Sequence, residues 1–426
     1  MNADPRRRRI VVVGSGTRFL SGISIYAVRL ANAFLTRGHD VSIVTMRALL
    51  PARFYPGRAR VGSDLTELGV EPGVARFDGI DWFWFPSMLR GIFFLLRRRP
   101  EVLILQWWTG TVLHSYLVLA LFGRLTGKQV IIEFHEVIDT GEARMALARW
   151  YVGVVAPAVI GLATGFAVHS SHDAVLVRSR YRVGIRRPLA ILPHGPHDHY
   201  RTTAGDAPLA ALRSAPAGAT NFLFFGIIRP YKGLEDLVAA FDAIPPDRIE
   251  DYWLTVVGET WEGWHLPGER IAASRYADRI TFVNRYVHDA ELDAHLRGAD
   301  VVVLPYRRSS LSGPLHVAMG YGLPVVMTNV GGNAEAGEGY GGLFLVEPAD
   351  VPALTAVMLG DAIRTVARYE HPRSWAETAI AYEQILDQLA GSAGPAGDED
   401  RHAATARPGM AQPASEPDPP TGGSGR

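Results

Sequence analysis

Short apolar runs recur along the chain at 10–13, 41–45, 102–105, 130–134, 165–169 and 190–192, and again at 222–225, 253–257, 280–283, 301–304, 325–328 and 342–346. Most are continuous rather than alternating, which is the pattern of strands buried on both faces in parallel sheets covered by helices. Between them lie stretches with apolar residues at helical spacing, among them 22–31 and 234–241. The alternation predicts an α/β fold of two doubly wound, Rossmann-like domains with parallel sheets, facing each other across a cleft. From Arg201 to Pro208, and on to Thr220, small and polar residues separate the two series in the manner of a linker. Domains over 1–203 and 204–370 follow. Beyond 390 Gly, Ala, Pro, Asp and Ser dominate, so 391–426 is expected to be a disordered tail.

Composition narrows the function. A chain of 426 residues has room for two cores, since single domains stop growing at roughly 250 residues. Lys plus Arg and Asp plus Glu both total 43, so no excess of charge points to nucleic acid. With no cysteine, disulfides, thiolate nucleophiles and Cys-ligated zinc drop out. The basic start Arg6 to Arg9 leads into an apolar run that ends at Gly14, too short for a signal-peptide core. The run 116–122 falls well below the ~20 residues that a spanning helix needs. A cytoplasmic protein is expected. The stretch 82–99, with Trp82, Phe83, Trp84, Phe85 and then Arg90, Arg97, Arg98 and Arg99, fits two readings. It is either a helix packed on the sheet with a basic end, or a patch peripheral on an anionic membrane surface at its inner face.

The chemistry concentrates in the second half. In Phe224-Phe225-Gly226-Ile227-Ile228-Arg229-Pro230-Tyr231-Lys232-Gly233 an apolar strand ends in a glycine turn and delivers two cations beside a helix start. Gly226 stands at the strand's carboxyl end, where open parallel sheets place their ligand crevices. Arg229 can fork onto phosphate oxygens, Lys232 supplies a mobile point charge, and the following helix aims its positive end the same way. The plainer reading is two surface charges on an ordinary βα turn. Further on, Ser312 and Gly313 open a helix after a strand and a polar turn, and would offer unpaired helix N–H groups to a diphosphate. Near the amino terminus, Gly14-Ser15-Gly16 invites a dinucleotide reading, but Phe19 stands where its third glycine belongs. His194, His197 and His199 have loose spacing and no distant partner, so no metal is predicted.

Taken together, 224–233 and 305–324 resemble the phosphate-binding elements of the retaining, nucleotide-sugar-dependent glycosyltransferases of family four, which have the GT-B fold. The resemblance extends from about Arg9 to Leu389. It implies transfer of a sugar from a nucleoside diphosphate to a hydroxyl of a glycan, lipid-linked or small-molecule acceptor, with no cofactor and no metal. His135, Arg229 and Lys232 would be catalytic. The nucleotide sugar would meet Gly22, Gly226, Ser309, Ser312, Gly313 and Val317, with the base held by the loop of Arg285, Tyr286 and Val287. Gln106, Trp107, Trp108 and Glu136 would face the acceptor, and 371–390 would be the helix that crosses back to the first domain.

One departure stands out. Many family members carry two glutamates eight positions apart where this chain has Ser309 and Val317. Ser309 can still hydrogen-bond a sugar, but Val317 cannot accept from a ribose hydroxyl, and His316 is turned about 100° away on the helix. The substitution keeps two other readings open: a non-catalytic nucleotide-sugar-binding subunit, and a GT-B enzyme of different outcome, such as a phosphorylase or epimerase.

Overall fold

The computed structural model describes residues 6–16, 22–48, 69–81, 85–137, 146–202, 215–260, 264–309, 312–364 and 368–391. Ser21, Trp82 to Trp84, the linker core 203–214 and the tail from 392 onward lie outside the described residues. Two parallel sheets organise the rest. The first contains β1 (Arg9–Ser15), β2 (Asp40–Ala48), β3 (Ala75–Asp81), β4 (Val102–Trp107), β5 (Gln129–Phe134), β6 (Gly165–Val168) and β7 (Leu189–Ile191), in the order β3-β2-β1-β4-β5-β6-β7. The second contains β8 (Thr220–Phe225), β9 (Tyr252–Val257), β10 (Ile280–Val283), β11 (Val301–Leu304), β12 (Val325–Thr328) and β13 (Leu343–Val346), in the order β10-β9-β8-β11-β12-β13.

Strand order reverses beside β1 in one sheet and beside β8 in the other. At such a switch point the flanking helices depart to opposite faces and leave a crevice at the strands' carboxyl ends. Each of the twelve runs read as strands is a strand here, and among the described residues one strand escapes that reading. β3 is an edge strand of mixed composition, ARFDGID, and its ladder with β2 slips between Thr45 and Met46 and again before Ala48. Arg76, Asp78 and Gly79 break up its apolar positions, whereas the other edge strands β7, β10 and β13 keep short apolar runs.

Strand alternation sends Val11 and Val13 to one face of the first sheet and Ile10 and Val12 to the other. The Val11 face is covered by α2 (Phe85–Arg98), α3 (Leu113–Leu125) and α4 (Ala146–Leu162). The Ile10 face is covered by α1 (Gly22–Thr36) and by the closing helix Trp375–Gly391, which buries Tyr382, Ile385 and Leu386 there. That last helix belongs in packing to the first domain, although the second domain precedes it in sequence. Polar contacts fix it. Arg37 forks onto Glu383 at 2.5 and 2.7 Å, and buried His39 meets the same carboxylate at 3.0 Å. Gly38 ends α1 with a left-handed φ of 86°, the conformation for which glycine is selected at helix ends.

Candidate active site between the two sheets

A cleft of about 400 Å³ opens between the carboxyl ends of the two sheets. From the first domain it is lined by Gly22, His135, Glu136, His194 and His197. From the second come Gly226, Arg229, Lys232, Tyr286, Val287, Ser309, Ser312, Gly313 and Val317. Residues scattered from 22 to 317 are thus brought to one place by the switch-point geometry.

The floor is built from two loops in backbone contact. Gly226 has φ 99°, and a Cβ added there would stand 3.3 Å from the Lys232 Nζ and 3.5 Å from Pro314 Cγ. Gly233 has φ 65°, and its added Cβ would fall 2.0 Å from the Pro305 carbonyl oxygen. Both positions need glycine, for conformation and for space. The close approach turns Lys232 inward, where it is 8% exposed with its ammonium 5.4 Å from the centroid of the Tyr306 ring. Burial, then repulsion from Arg229, push the Lys232 pKa down to about 7, against an opposing pull from Glu136. A lysine this dry and this close to another cation sits in a field that favours an anionic ligand.

The opposite wall rests on a buried carboxylate. Glu133 is fully buried on β5 and accepts hydrogen bonds from the Tyr26 hydroxyl at 2.6 Å, from the Tyr382 hydroxyl and from the Gln106 amide. Burial lifts its pKa to about 7 while those three donors hold it down. Gln106 gives its N–H to Glu133, so its carbonyl oxygen is the atom that meets His135 Nε2. An oxygen acceptor there requires His135 to carry its proton on Nε2, which leaves Nδ1 as the acceptor nitrogen. Burial, and next the nearby His169, keep His135 well below its ordinary pKa and therefore neutral. The closing helix, through Tyr382, thus helps set the tautomer of a side chain in the cleft.

Glu133, His135 and His169 each bring one potential metal-ligand atom within 4.8 Å of the others. Both Glu133 oxygens and His135 Nε2 are already engaged by Tyr26, Tyr382 and Gln106. The cluster is a hydrogen-bonded network tying α1, β4, β5 and the closing helix together.

Two family models match this chain: one described as a glycosyl transferase 4-like domain over residues 21–195, and one as glycosyl transferases group 1 over residues 219–360. The first takes in β2 to β7 and the second the whole of the second sheet. The chain belongs to the family-four glycosyltransferases. One relative is the GDP-mannose:glycolipid 4-beta-D-mannosyltransferase of Xanthomonas campestris pv. campestris, 30% identical over 200 residues, which are 45% of this chain and 54% of the relative. The chain spans about half the length of the curated relatives it matches. Among solved structures, sucrose-phosphate synthase from Thermosynechococcus elongatus aligns with a TM-score of 0.64 at 19% identity, covering 91% of this chain and all of that one. Anabaena HepE in complex with UDP and glucose aligns at 0.57 and 14%, covering 91% and 99%. At such identities the two structures speak for the GT-B fold.

Within this family-four glycosyltransferase several sequence expectations need correction. Gln106, Trp107 and Trp108 are not among the residues that line the cleft, although they sit on or just after the central strand β4. Gln106 is fully buried in the Glu133 network. Trp107 packs between Phe134 at 5.1 Å and Tyr181 at 5.4 Å, and Trp108 rests half-buried on the same core. Arg285 points to solvent and forks onto Glu291 at 2.6 and 2.9 Å, so only its neighbours Tyr286 and Val287 reach the cleft.

The helix Gly313–Gly320 offers less to an anion than expected. Ser312 Oγ caps it by accepting from the Leu315 amide at 3.2 Å, and Pro314 has no N–H, which leaves the Gly313 amide as the first-turn donor facing the cleft. The histidine segment is packed on both sides: His194 stacks on His316 of the second domain with centroids 3.9 Å apart, and Asp198 pairs with Arg29 of the first domain's α1 at 2.7 Å.

Sequence reading passed over two carboxylates in the second domain's wall, Glu259 and Asp289. Glu259 follows Gly258 just past β9, and Asp289 opens the helix Asp289–Arg297. Both were findable by the strand-end rule that singled out Gly226. They supply acid on the side where Val317 offers none.

Proposed function

We propose that the cleft transfers a sugar from a nucleoside diphosphate to a hydroxyl acceptor. The observation that carries this is the pairing of Arg229 with a buried Lys232 beneath the Gly226 turn. Charge develops on the departing diphosphate, and two cations already held in a dry site stabilise it without reorganisation. They meet that need from the protein itself, so the reading assigns no cofactor and no metal. Tyr286 and Val287 are the proposed seat of the base, and Ser309, Ser312 and the Gly313 amide of the sugar phosphate. The Xanthomonas relative is named for GDP-mannose and a glycolipid, and the Anabaena structure holds UDP and glucose; both support a nucleotide sugar as donor, and the first a lipid-linked hydroxyl as acceptor. Release of nucleoside diphosphate from at least one of the common nucleotide sugars is the expected result of a hydrolysis and transfer screen. Tight binding with no release across the panel would turn the assignment into that of a binding subunit.

Lys232 gives the binding step a pH signature. In the empty cleft its pKa is about 7, and a bound diphosphate raises it, so binding takes up a proton. Below pH 7 the lysine is charged with and without ligand, and its contribution to affinity is flat. Above pH 7 the free enzyme loses that charge while the complex keeps it, and affinity falls by up to about tenfold per pH unit until the pKa of the complex is passed. Calorimetry between pH 6 and 9 in buffers of different ionisation enthalpy reads both the slope and the proton uptake. Affinity that is flat across this range contradicts the contact.

Retention is the proposed stereochemistry, with a phosphate oxygen of the leaving group taking the acceptor's proton on the same face of the sugar. Glu136 favours a second reading. It is a carboxylate on the first domain's wall, and the Xanthomonas relative is named for a β-linked product. A base opposite the leaving group produces inversion. Proton NMR of the first-formed product, with Glu136→Gln alongside, separates the two. Retention predicts the donor's anomeric configuration and a change within about tenfold in the variant; inversion predicts the opposite anomer and a loss of about a hundredfold or more.

A further inference from the structure

Three helices on the outer face of the first domain share a composition that a water-facing surface does not need. α2, α3 and α4 contain no aspartate or glutamate along their whole length. Their inner sides are accounted for: Met88 and Leu95 of α2, Tyr116 and Leu119 of α3, and Val159 and Ile160 of α4 are buried against the sheet. Their outer sides are apolar as well.

On α2, Phe85, Leu89, Phe93 and Leu96 are each more than half exposed and fall at helical spacing on one stripe. On α4, Leu147, Trp150 and Val154 repeat the stripe, and on α3 Leu125 is 78% exposed. α3 packs against both of the others, so the stripes lie side by side on one face. Single exposed apolar residues are ordinary; a contiguous set across three helices is not. Within the three helices the charges are all positive: exposed Arg90 and Arg97 on α2, Arg124 on α3 and Arg149 on α4.

We propose that this three-helix face docks on an anionic lipid bilayer, the apolar stripes entering the interface and the arginines meeting lipid headgroups. Among the described residues no helix is long and apolar enough to cross a membrane, and a face of this kind lies on the bilayer instead. The surface differs from the one legible in the sequence. Arg98 is spent inside the protein on Asp40 and Ser42, and Arg97 lies over the Phe93 ring at 4.4 Å. Leu125, Leu147, Trp150 and Val154 on α3 and α4 lie outside the stretch 82–99.

Orientation follows from topology. α2 ends just before β4 begins, and α4 just before β6 begins, so both helices have their amino ends at the cleft side of the sheet. Phe85, Leu147 and Trp150 therefore lie nearest the cleft. An acceptor hydroxyl on a membrane lipid is brought to that rim, a consequence that rests on the transfer reading above, whereas docking itself rests on the surface alone.

Flotation of the full chain with phosphatidylcholine vesicles, with and without about a third phosphatidylglycerol, tests the docking. Binding is expected to the anionic vesicles in 0.1 M salt and to weaken in 0.5 M salt. Arg90→Gln with Arg97→Gln should weaken it about fivefold per arginine. The variant that separates the three-helix face from α2 alone is Leu147→Ser with Trp150→Ser, which should cost tenfold or more in vesicle binding. Turnover of that variant on a water-soluble acceptor should match the parent, so failure of docking and failure of the enzyme reading are told apart. Absence of flotation by the parent protein overturns the proposal. So does self-association, without vesicle binding, that the Leu147 and Trp150 changes abolish, because the face is then a contact between copies. Unchanged flotation in that double variant overturns the part played by α4.

Discussion

Replacing Lys232 by methionine should lower turnover by about thirtyfold to a thousandfold, corresponding to ~2–4 kcal/mol of transition-state stabilisation from one charge-assisted contact. Methionine keeps most of the volume of a side chain packed under Gly226 and beside Tyr306, so thermal unfolding should stay close to that of the parent. Arg229→Ala should lose turnover in the same range, and the double variant less than the sum, because the two cations act on one diphosphate. The same experiment decides between function and structure for this loop. A protein that unfolds on Lys232→Met, or one that turns over normally with both changes, would falsify the clamp.

Gly233→Ala should be strongly damaging, on a par with Gly258→Ala, whose added carbon falls 2.0 Å from the Gly226 carbonyl oxygen. The Gly233 φ of 65° costs an alanine about 1–2 kcal/mol. The larger effect is steric: the added carbon falls 2.0 Å from the Pro305 carbonyl oxygen, a backbone atom with no rotamer through which to retreat. The loops after β8 and β11 must then separate, taking Lys232 and the start of the helix Gly313–Gly320 with them. A total loss of about 3 kcal/mol or more is expected, read as a lowered unfolding temperature of the second domain together with loss of activity. Gly313→Ala is the matched control. A Cβ there meets nothing within 4 Å, so the fold should be unaffected.

The sequence made the sheets legible because a strand covered on both faces cannot hide its continuous apolar run. β3 was hidden because Arg76, Asp78 and Gly79 interrupt its apolar residues, and nothing in ARFDGID separates it from a loop. The turn from Gly226 to Gly233 was legible for a related reason. Gly226, Arg229, Lys232 and Gly233 lie within eight consecutive positions, and local spacing carries their geometry. The first-domain wall was not. Glu133 sits inside an apolar strand, and its partners Tyr26, Gln106 and Tyr382 are contributed by α1, β4 and the closing helix. Only the tertiary fold brings such a network together. Trp107 shows the converse error, since a bulky aromatic at a strand end is a packing residue when that strand is central. The outer face of α3 and α4 was invisible for lack of contrast within those helices: the run 116–122 registered only as too short to span a membrane.

Calorimetric titration of a nucleoside diphosphate tests the central claim most directly, because it reads the cleft's hold on the phosphates without requiring the acceptor. UDP and GDP titrated into the parent protein, Lys232→Met and Arg229→Ala at pH 7 should give one site per chain for the preferred nucleotide. Each substitution should weaken that site by about tenfold or more, near 1.4 kcal/mol, and the nucleoside without its phosphates should bind far more weakly. Equal affinity in all three proteins, or equal affinity for nucleoside and diphosphate, would place the phosphates away from Arg229 and Lys232 and contradict the account.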